Sequence, residues 1–170
     1  MIKKIELLAA LIGLCWIPAV VTAASGKAFV PTYFAQDASG TSGDDYLFVS
    51  ISNISHADVN VTVKFFDKNG IIITDGDNSP SSGSIQGQNV GVNWNDNPDN
   101  ASLVFVLSPR NTERVQLFTP TKNIGYGLIE WQQNGEVPVS IVAHAYYMYY
   151  KSGAYMISNF SIPVNGGMPF

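Results

Sequence analysis

Few side chains in this sequence have the chemistry for nucleophilic catalysis, which needs a hydroxyl or thiol beside a base that a third group orients. The chain contains two histidines, His56 and His144, and one cysteine, Cys15. His144 shares a predicted strand face with Ser140, but no Gly-x-Ser-x-Gly turn is present to hold a nucleophile. We therefore interpret His144 as a structural or surface residue and expect a non-enzymatic protein. A hydrolase with an unidentified site, using His144 or Glu130, is kept as an alternative.

Acidic and amide side chains are concentrated in a polar stretch around residues 75–100, where their oxygens are of the type that calcium prefers. The candidate calcium ligands are Asp75, Asp77, Asp96 and Asp99. An EF-hand does not fit, because Pro80 replaces the sharp-turn glycine and Gln86 replaces the bidentate glutamate. Asp and Asn also favour turns, so we interpret the stretch as a solvated loop. A structural zinc site needs four ligands, and two separated histidines cannot supply them once Cys15 is removed with the N-terminal signal predicted below. We expect no cofactor.

Aromatic side chains near the C-terminal end are the most suggestive feature. Four tyrosines fall within one predicted strand: Tyr146, Tyr147, Tyr149 and Tyr150. Because side chains alternate along a strand, and small aliphatic residues at 139–145 indicate the core side, Tyr146 and Tyr150 are predicted to face outward with His144. Trp131 precedes them on a neighbouring predicted strand. Such amphipathic rings are typical of a subunit interface or of a platform for sugar rings. The ligand or interface candidates are therefore Trp131, His144, Tyr146 and Tyr150.

The elements that must position these side chains are strands. Residues 59–66 and 46–52 alternate apolar and polar side chains, and no window has a capped helical stripe. Asn69-Gly70 and Asn134-Gly135 predict tight hairpin turns, and the short link at 53–58 predicts that the strands it joins are neighbours. Gly125 and Gly127 fall on one face, where a backbone or ring is expected to approach closely.

About eight or nine short strands with this spacing predict an all-β, two-sheet antiparallel β-sandwich, with a closed barrel as the alternative. The polar loop around 75–100 is expected to carry one edge strand, near the weak apolar patch at Val90, Val92 and Trp94. Asn53-Ile54-Ser55 matches the acceptor pattern for N-linked glycosylation.

Several of these segments together resemble a known family. They are Ser52-Asn53-Ile54-Ser55, Val59-Asn60-Val61-Thr62-Val63, Ser108-Pro109-Arg110-Asn111-Thr112 with Arg114-Val115, and Val137-Pro138-Val139-Ser140-Ile141-Val142-Ala143-His144. In this order they resemble the soluble sensory-rhodopsin transducer family. The resemblance implies a small β-sandwich that assembles as a tetramer. This chain differs by its N-terminal segment and its long polar loop, so no binding residue is carried over.

The N-terminal segment has the pattern of a secretory signal: Lys3 and Lys4, an uncharged apolar stretch at 7–21, then small residues. We predict a signal peptide at 1–23, cut after Ala23, and a single domain at 24–170. Cys15 lies inside the signal, so the mature protein has no disulfide and depends on its core. The expected localisation is secreted or periplasmic, with no membrane span after cleavage.

Charge also limits the partners. Without residues 1–23 the chain has 7 Lys and Arg against 12 Asp and Glu, a formal net charge of −5, and this balance gives no electrostatic reason to bind nucleic acid. The function we expect is protein binding or self-assembly as a homo-oligomer. The alternative of another class is a carbohydrate-binding module that uses Trp131, Tyr146 and Tyr150.

Overall fold

A computed structural model describes residues 24–35, 44–74, 85–87, 95–96, 101–118, 123–133, 135, 139–150 and 156–170. The predicted signal peptide at 1–23 lies outside these residues, as do the calcium-ligand candidates Asp75, Asp77 and Asp99 and the apolar patch at Val90, Val92 and Trp94.

The described chain is built from β-strands. They are β1 (Ala24–Ala35), β2 (Asp44–Asn53), β3 (Val59–Asp67), β4 (Ile85–Gly87), β5 (Asn95–Asp96), β6 (Leu103–Leu107), β7 (Thr112–Leu117), β8 (Asn123–Gln133), β9 (Ile141–Tyr150) and β10 (Met156–Pro163). A short 3-10 turn, Val164–Gly167, follows β10. Sheet A has the order β1-β8-β3-β6-β5 and sheet B the order β10-β9-β2-β7-β4. All pairings are antiparallel, so the predicted all-β, two-sheet sandwich is confirmed.

Apolar side chains fill the space between the two sheets. The largest fully buried ones are Phe65, Phe105, Leu47, Ile51, Ile85, Leu103, Leu107, Leu117, Ile129 and Ile141. Burying each such side chain contributes about 1.5–3 kcal/mol, which is how a domain of this size is stabilised without a disulfide. On β3 the buried positions are every second residue from Val59 to Phe65, as the alternation predicts.

Two predictions about which strands pair with each other are wrong. The link at 53–58 joins β2 in sheet B to β3 in sheet A, and the Asn134-Gly135 segment joins β8 in sheet A to β9 in sheet B. Turn residues determine that the chain reverses direction, but they do not determine whether the next strand joins the same sheet or the facing one. The polar loop also differs from the prediction, because it carries two short strands, β4 and β5, at the edges of sheets B and A.

The turn predicted at Asn69-Gly70 is present after β3. The Asp67 N–H donates to the Ile71 carbonyl at 2.8 Å, and Gly70 has a φ of 77°, which favours glycine. The Asp67 carboxylate accepts hydrogen bonds from the N–H groups of Asn69 and Ile71, both at 2.8 Å. The bond from Ile71 makes the largest contribution to lowering the pKa of Asp67.

Asn53 joins the crossover after β2 to the ends of other strands. Its side chain is 1 % exposed. Its Nδ2 donates to the carbonyls of Ala57 at 2.7 Å and Leu107 at 3.0 Å, and its Oδ1 accepts from the Ser55 N–H at 2.9 Å and the Ser55 hydroxyl at 2.6 Å. Its own N–H donates to the Asn111 carbonyl at 2.9 Å. In the folded domain Asn53 is therefore a buried structural residue and not an accessible glycosylation acceptor.

Replacing Asn53 with alanine should lower the free energy of unfolding by about 3 kcal/mol, because it leaves several buried polar groups without partners. Asn60→Ala is the matched control, since Asn60 is exposed on β3 and should change stability by no more than about 0.5 kcal/mol. Urea denaturation followed by circular dichroism measures both. Equal effects of the two substitutions would contradict the role given to Asn53.

Candidate functional site

The outer face of sheet B carries a continuous row of aromatic rings. Strand alternation turns Leu47 and Val49 of β2 into the core, so Tyr46 and Phe48 face outward. Phe48 lies opposite Gln116 of β7 on one side and opposite Tyr146 of β9 on the other. We call the set Tyr46, Phe48, Arg114, Phe118 and Tyr146 the aromatic face.

The rings of the aromatic face stack on one another. Ring centroids are 5.5 Å apart for Phe118 and Tyr46, 5.9 Å for Tyr46 and Phe48, and 5.1 Å for Phe48 and Tyr146. Interplanar angles lie between 20° and 23°, and the distances are in the range in which aromatic pairs attract. The rings therefore hold each other in fixed orientations before any partner binds.

Arg114 covers the centre of the row. Its guanidinium carbon lies 4.9 Å from the Phe48 ring centroid, and its Nη1 donates to the Tyr146 hydroxyl at 3.0 Å. These neighbours leave Phe48 only 8 % exposed although it points away from the core. Among the side chains that the structure describes on this face, none is a carboxylate, and Arg114 carries the only full positive charge among them.

His144 lies beside the aromatic face, as the alternation predicts. Its ring is 6.3 Å from the Tyr146 ring, and its Nε2 is 3.3 Å from the Ser161 hydroxyl. This contact brings a hydroxyl next to a base. Sequence reasoning did not find it, because the sequence does not show which residue of β10 lies beside His144 when β9 and β10 pair. No carboxylate is described on this face to orient the imidazole, so within the described side chains the catalytic arrangement lacks its third group.

Trp131 lies elsewhere, which corrects its expected grouping with Tyr146 and Tyr150. It is on β8 of sheet A, is 6 % exposed and points into the core. Its indole N–H donates to the Phe170 carbonyl at 2.8 Å, and the ring lies directly over Gly26, where a Cβ would collide with it. Trp131 shares its strand face with the buried Ile129, and this spacing is the sequence signal for its burial.

The remaining predicted residues are only partly described. The backbone of Tyr150 pairs with Asp44 and Met156, and the backbone of Asp96 pairs with Leu103. The residues that the structure describes contain no cluster of three or more His, Cys, Asp or Glu that could hold a metal ion. The interpretation of residues 75–100 as a solvated loop stays a prediction, since the calcium-ligand candidates Asp75, Asp77 and Asp99 lie outside the described residues.

The outer face of sheet A has a different chemistry. A groove of about 680 Å³ lies across its strands. Its polar lining residues are Ser25, Lys27, Asn60, Thr62, Glu130 and Gln132. Lys64 Nζ donates to Glu130 Oε2 at 2.7 Å, which fixes the Glu130 carboxylate. We call these six residues the polar groove.

Further along the same outer face is a second group of rings. Tyr126 stacks on Phe66 with centroids 4.8 Å apart, and Phe29 lies 6.2 Å from Tyr126. Sequence reasoning found neither this cluster nor most of the aromatic face. The period-two pattern of β2 and β7 carries the signal for Phe48 and Arg114, but only the strand order shows that they meet.

Comparison with known proteins assigns no family. No protein-family model matches the chain, and no curated protein matches it. Among solved structures, the chain is similar to "Crystal Structure of Thermotoga maritima 1070", with a TM-score of 0.48 and 9 % sequence identity. The similarity covers 81 % of this chain and 90 % of that one. It gives no information about what this chain binds.

The burial of Trp131 gives a direct stability test. Trp131→Ala should lower the free energy of unfolding by about 3–5 kcal/mol, because it opens a core cavity, and Trp131→Phe by about 1 kcal/mol through loss of the indole hydrogen bond. Tyr146→Ala on the outer face should cost about 1 kcal/mol. Denaturant titrations compare the three variants. The placement of Trp131 in the core is contradicted if Trp131→Ala costs no more than Tyr146→Ala.

Proposed function

We propose that this protein is an exported, non-enzymatic β-sandwich that associates with a second copy of itself through the aromatic face. The observation that supports the proposal is the stacked row of four rings with Arg114 above Phe48 on the outer face of sheet B. Tyr, Phe and Arg are the residue types enriched at protein interfaces, and charged residues other than Arg are depleted at their centres.

The geometry of the rings favours binding because it lowers the entropic cost. An interface side chain that becomes ordered on binding costs roughly 0.5–1.5 kcal/mol. On the aromatic face, stacking between rings and the hydrogen bond from Arg114 to Tyr146 already restrict the side chains. A partner that packs against them therefore gains contact area without ordering them.

Charge supports a second copy as the occupant. Without residues 1–23 the chain has 7 Lys and Arg against 12 Asp and Glu, a formal net charge of −5, so two copies repel weakly wherever their acidic surfaces meet. The described side chains of the aromatic face include no carboxylate, so two acidic chains can pack there without repulsion between carboxylates of this set. A two-fold arrangement places the same patch on both subunits, and Arg114 of each copy can then lie over rings of the other. The predicted resemblance to a tetramer-forming family favours the same occupant.

The proposed location is outside the cytoplasm, in the periplasm or released. It is supported by the secretory pattern of residues 1–23. Within the described ranges, no helix has the length and apolar character needed to cross a membrane.

Reversing the charge of Arg114 should weaken association at least about tenfold, because Arg114→Glu removes the contact with Phe48 and adds repulsion between acidic chains. Light scattering of the protein over a range of concentrations measures the effect. The wild-type protein should reach a multiple of the monomer mass, and Arg114→Glu should remain closer to the monomer.

Arg110→Glu is the matched control, since Arg110 is also exposed but lies in the turn between β6 and β7, where its guanidinium contacts His56. It changes the net charge by the same amount and should leave the mass unchanged. A wild-type protein that is monomeric at every concentration, or equal loss of association in both variants, would contradict self-association through the aromatic face.

A further inference from the structure

We propose that the polar groove on the outer face of sheet A is a binding site for an oligosaccharide. This site lies on the opposite sheet from the aromatic face and does not depend on self-association. It also differs from the platform of Trp131, Tyr146 and Tyr150 expected from the sequence, because Tyr146 and Tyr150 lie on sheet B and Trp131, which also borders the groove, is only 6 % exposed.

The strand register arranges the groove as two parallel rows of side chains. In the first row Glu130 of β8 lies between Lys27 of β1 and Thr62 of β3. In the second row Gln132 takes the same central position between Ser25 and Asn60. Both rows therefore cross three neighbouring strands, and all six side chains point to the outside.

An apolar residue extends the first row. Val104 of β6 lies opposite Thr62 and also lines the groove. With β6 included, the groove crosses four neighbouring strands, a width of about 14 Å at the usual spacing between strands. The groove is thus long in one direction and has a volume of about 680 Å³, which suits a short linear chain better than a small compact molecule.

The side chains of the two rows match the hydrogen bonding of sugar hydroxyls. A hydroxyl is both a donor and an acceptor, so neighbouring hydroxyls of a sugar ring need donors and acceptors side by side. Lys27 supplies donors next to the acceptor Glu130, and the amides of Asn60 and Gln132 each supply both. The Lys64 ammonium holds the Glu130 carboxylate at 2.7 Å, so the central acceptor is oriented before the ligand binds.

The charges of the groove argue against other ligands. Lys27 and Lys64 outweigh Glu130 by one positive charge, which is too little for a nucleic acid to bind an otherwise acidic protein. An extended peptide that adds a strand requires a sheet edge, whereas the groove lies on the face of the sheet. A single carboxylate among the described lining residues does not make a calcium site.

Beyond the groove, the outer face offers stacking contacts for a longer chain. Tyr126 is four residues from Glu130 along β8, a distance of about 13 Å, and it stacks with Phe66. Sugar rings have apolar faces that pack on such aromatic rings. A ligand that leaves the groove along β8 would therefore meet the cluster formed by Tyr126, Phe66 and the exposed Phe29.

The test is calorimetric titration of the protein, expressed from its full-length sequence, with four probes: maltohexaose, cellohexaose, chitohexaose and an oligogalacturonate. We expect at least one probe to bind. Glu130→Gln and Asn60→Ala should each weaken that binding about tenfold or more, because the first changes the central acceptor of one row and the second removes the amide at the end of the other. Amide resonances of β3 and β8 should shift on titration, while those of β2 should not.

Lysine variants provide the matched control and separate neutral from acidic sugars. Lys27→Met should weaken binding, and more strongly for the oligogalacturonate, whereas Lys68→Met should have no effect because Lys68 is exposed in the turn after β3. The monomer-favouring Arg114→Glu should retain full sugar binding, which distinguishes this proposal from self-association. Failure of all four probes to bind at millimolar concentration, or binding that the groove variants leave unchanged, would overturn the proposal.

Discussion

Apolar side chains packed between the two sheets determine what the outside of this protein presents. Side chains alternate along a strand, so when one residue points into the core, the residues before and after it point to the outer face. The register that buries Leu47 between Leu117 and Tyr147 is the same register that places Phe48 between Gln116 and Tyr146. A shift of one residue would exchange the two sets, so the aromatic face exists only as long as the core is packed in this register.

The two outer faces that result have different chemistry and suit different partners. On sheet B, stacked rings and one arginine form a fixed, carboxylate-free surface in the part of the chain that the structure describes, as an interface with another acidic copy requires. On sheet A, the groove presents donors and acceptors in two rows around Glu130. Because the faces are on opposite sides of the core, one molecule can use both at the same time. Assembly would then bring several grooves together, which raises the overall affinity for a repetitive ligand.

Sequence reasoning predicted what depends on local pattern. The alternation of residues 59–66, the turn at Asn69-Gly70 and the outward direction of His144 and Tyr146 all follow from spacing of two and from turn chemistry, and the structure shows each of them. It did not predict what depends on contacts between distant segments. The indole of Trp131 bonds to Phe170, 39 residues away, and successive strands cross between sheets where turn residues suggested hairpins. The groove needs side chains from β1, β3, β6 and β8, which only the strand order brings together.

The central claim is that association buries the aromatic face and leaves the outer face of sheet A exposed. Hydroxyl-radical footprinting at low and high protein concentration tests it directly, because each face carries its own aromatic reporters. Tyr46, Phe118 and Tyr146 report on sheet B, and Phe29, Phe66 and Tyr126 report on sheet A. The account predicts that oxidation of the sheet B rings falls as the concentration rises while oxidation of the sheet A rings stays constant. Protection confined to the sheet A rings, or equal protection of both sets, would contradict it.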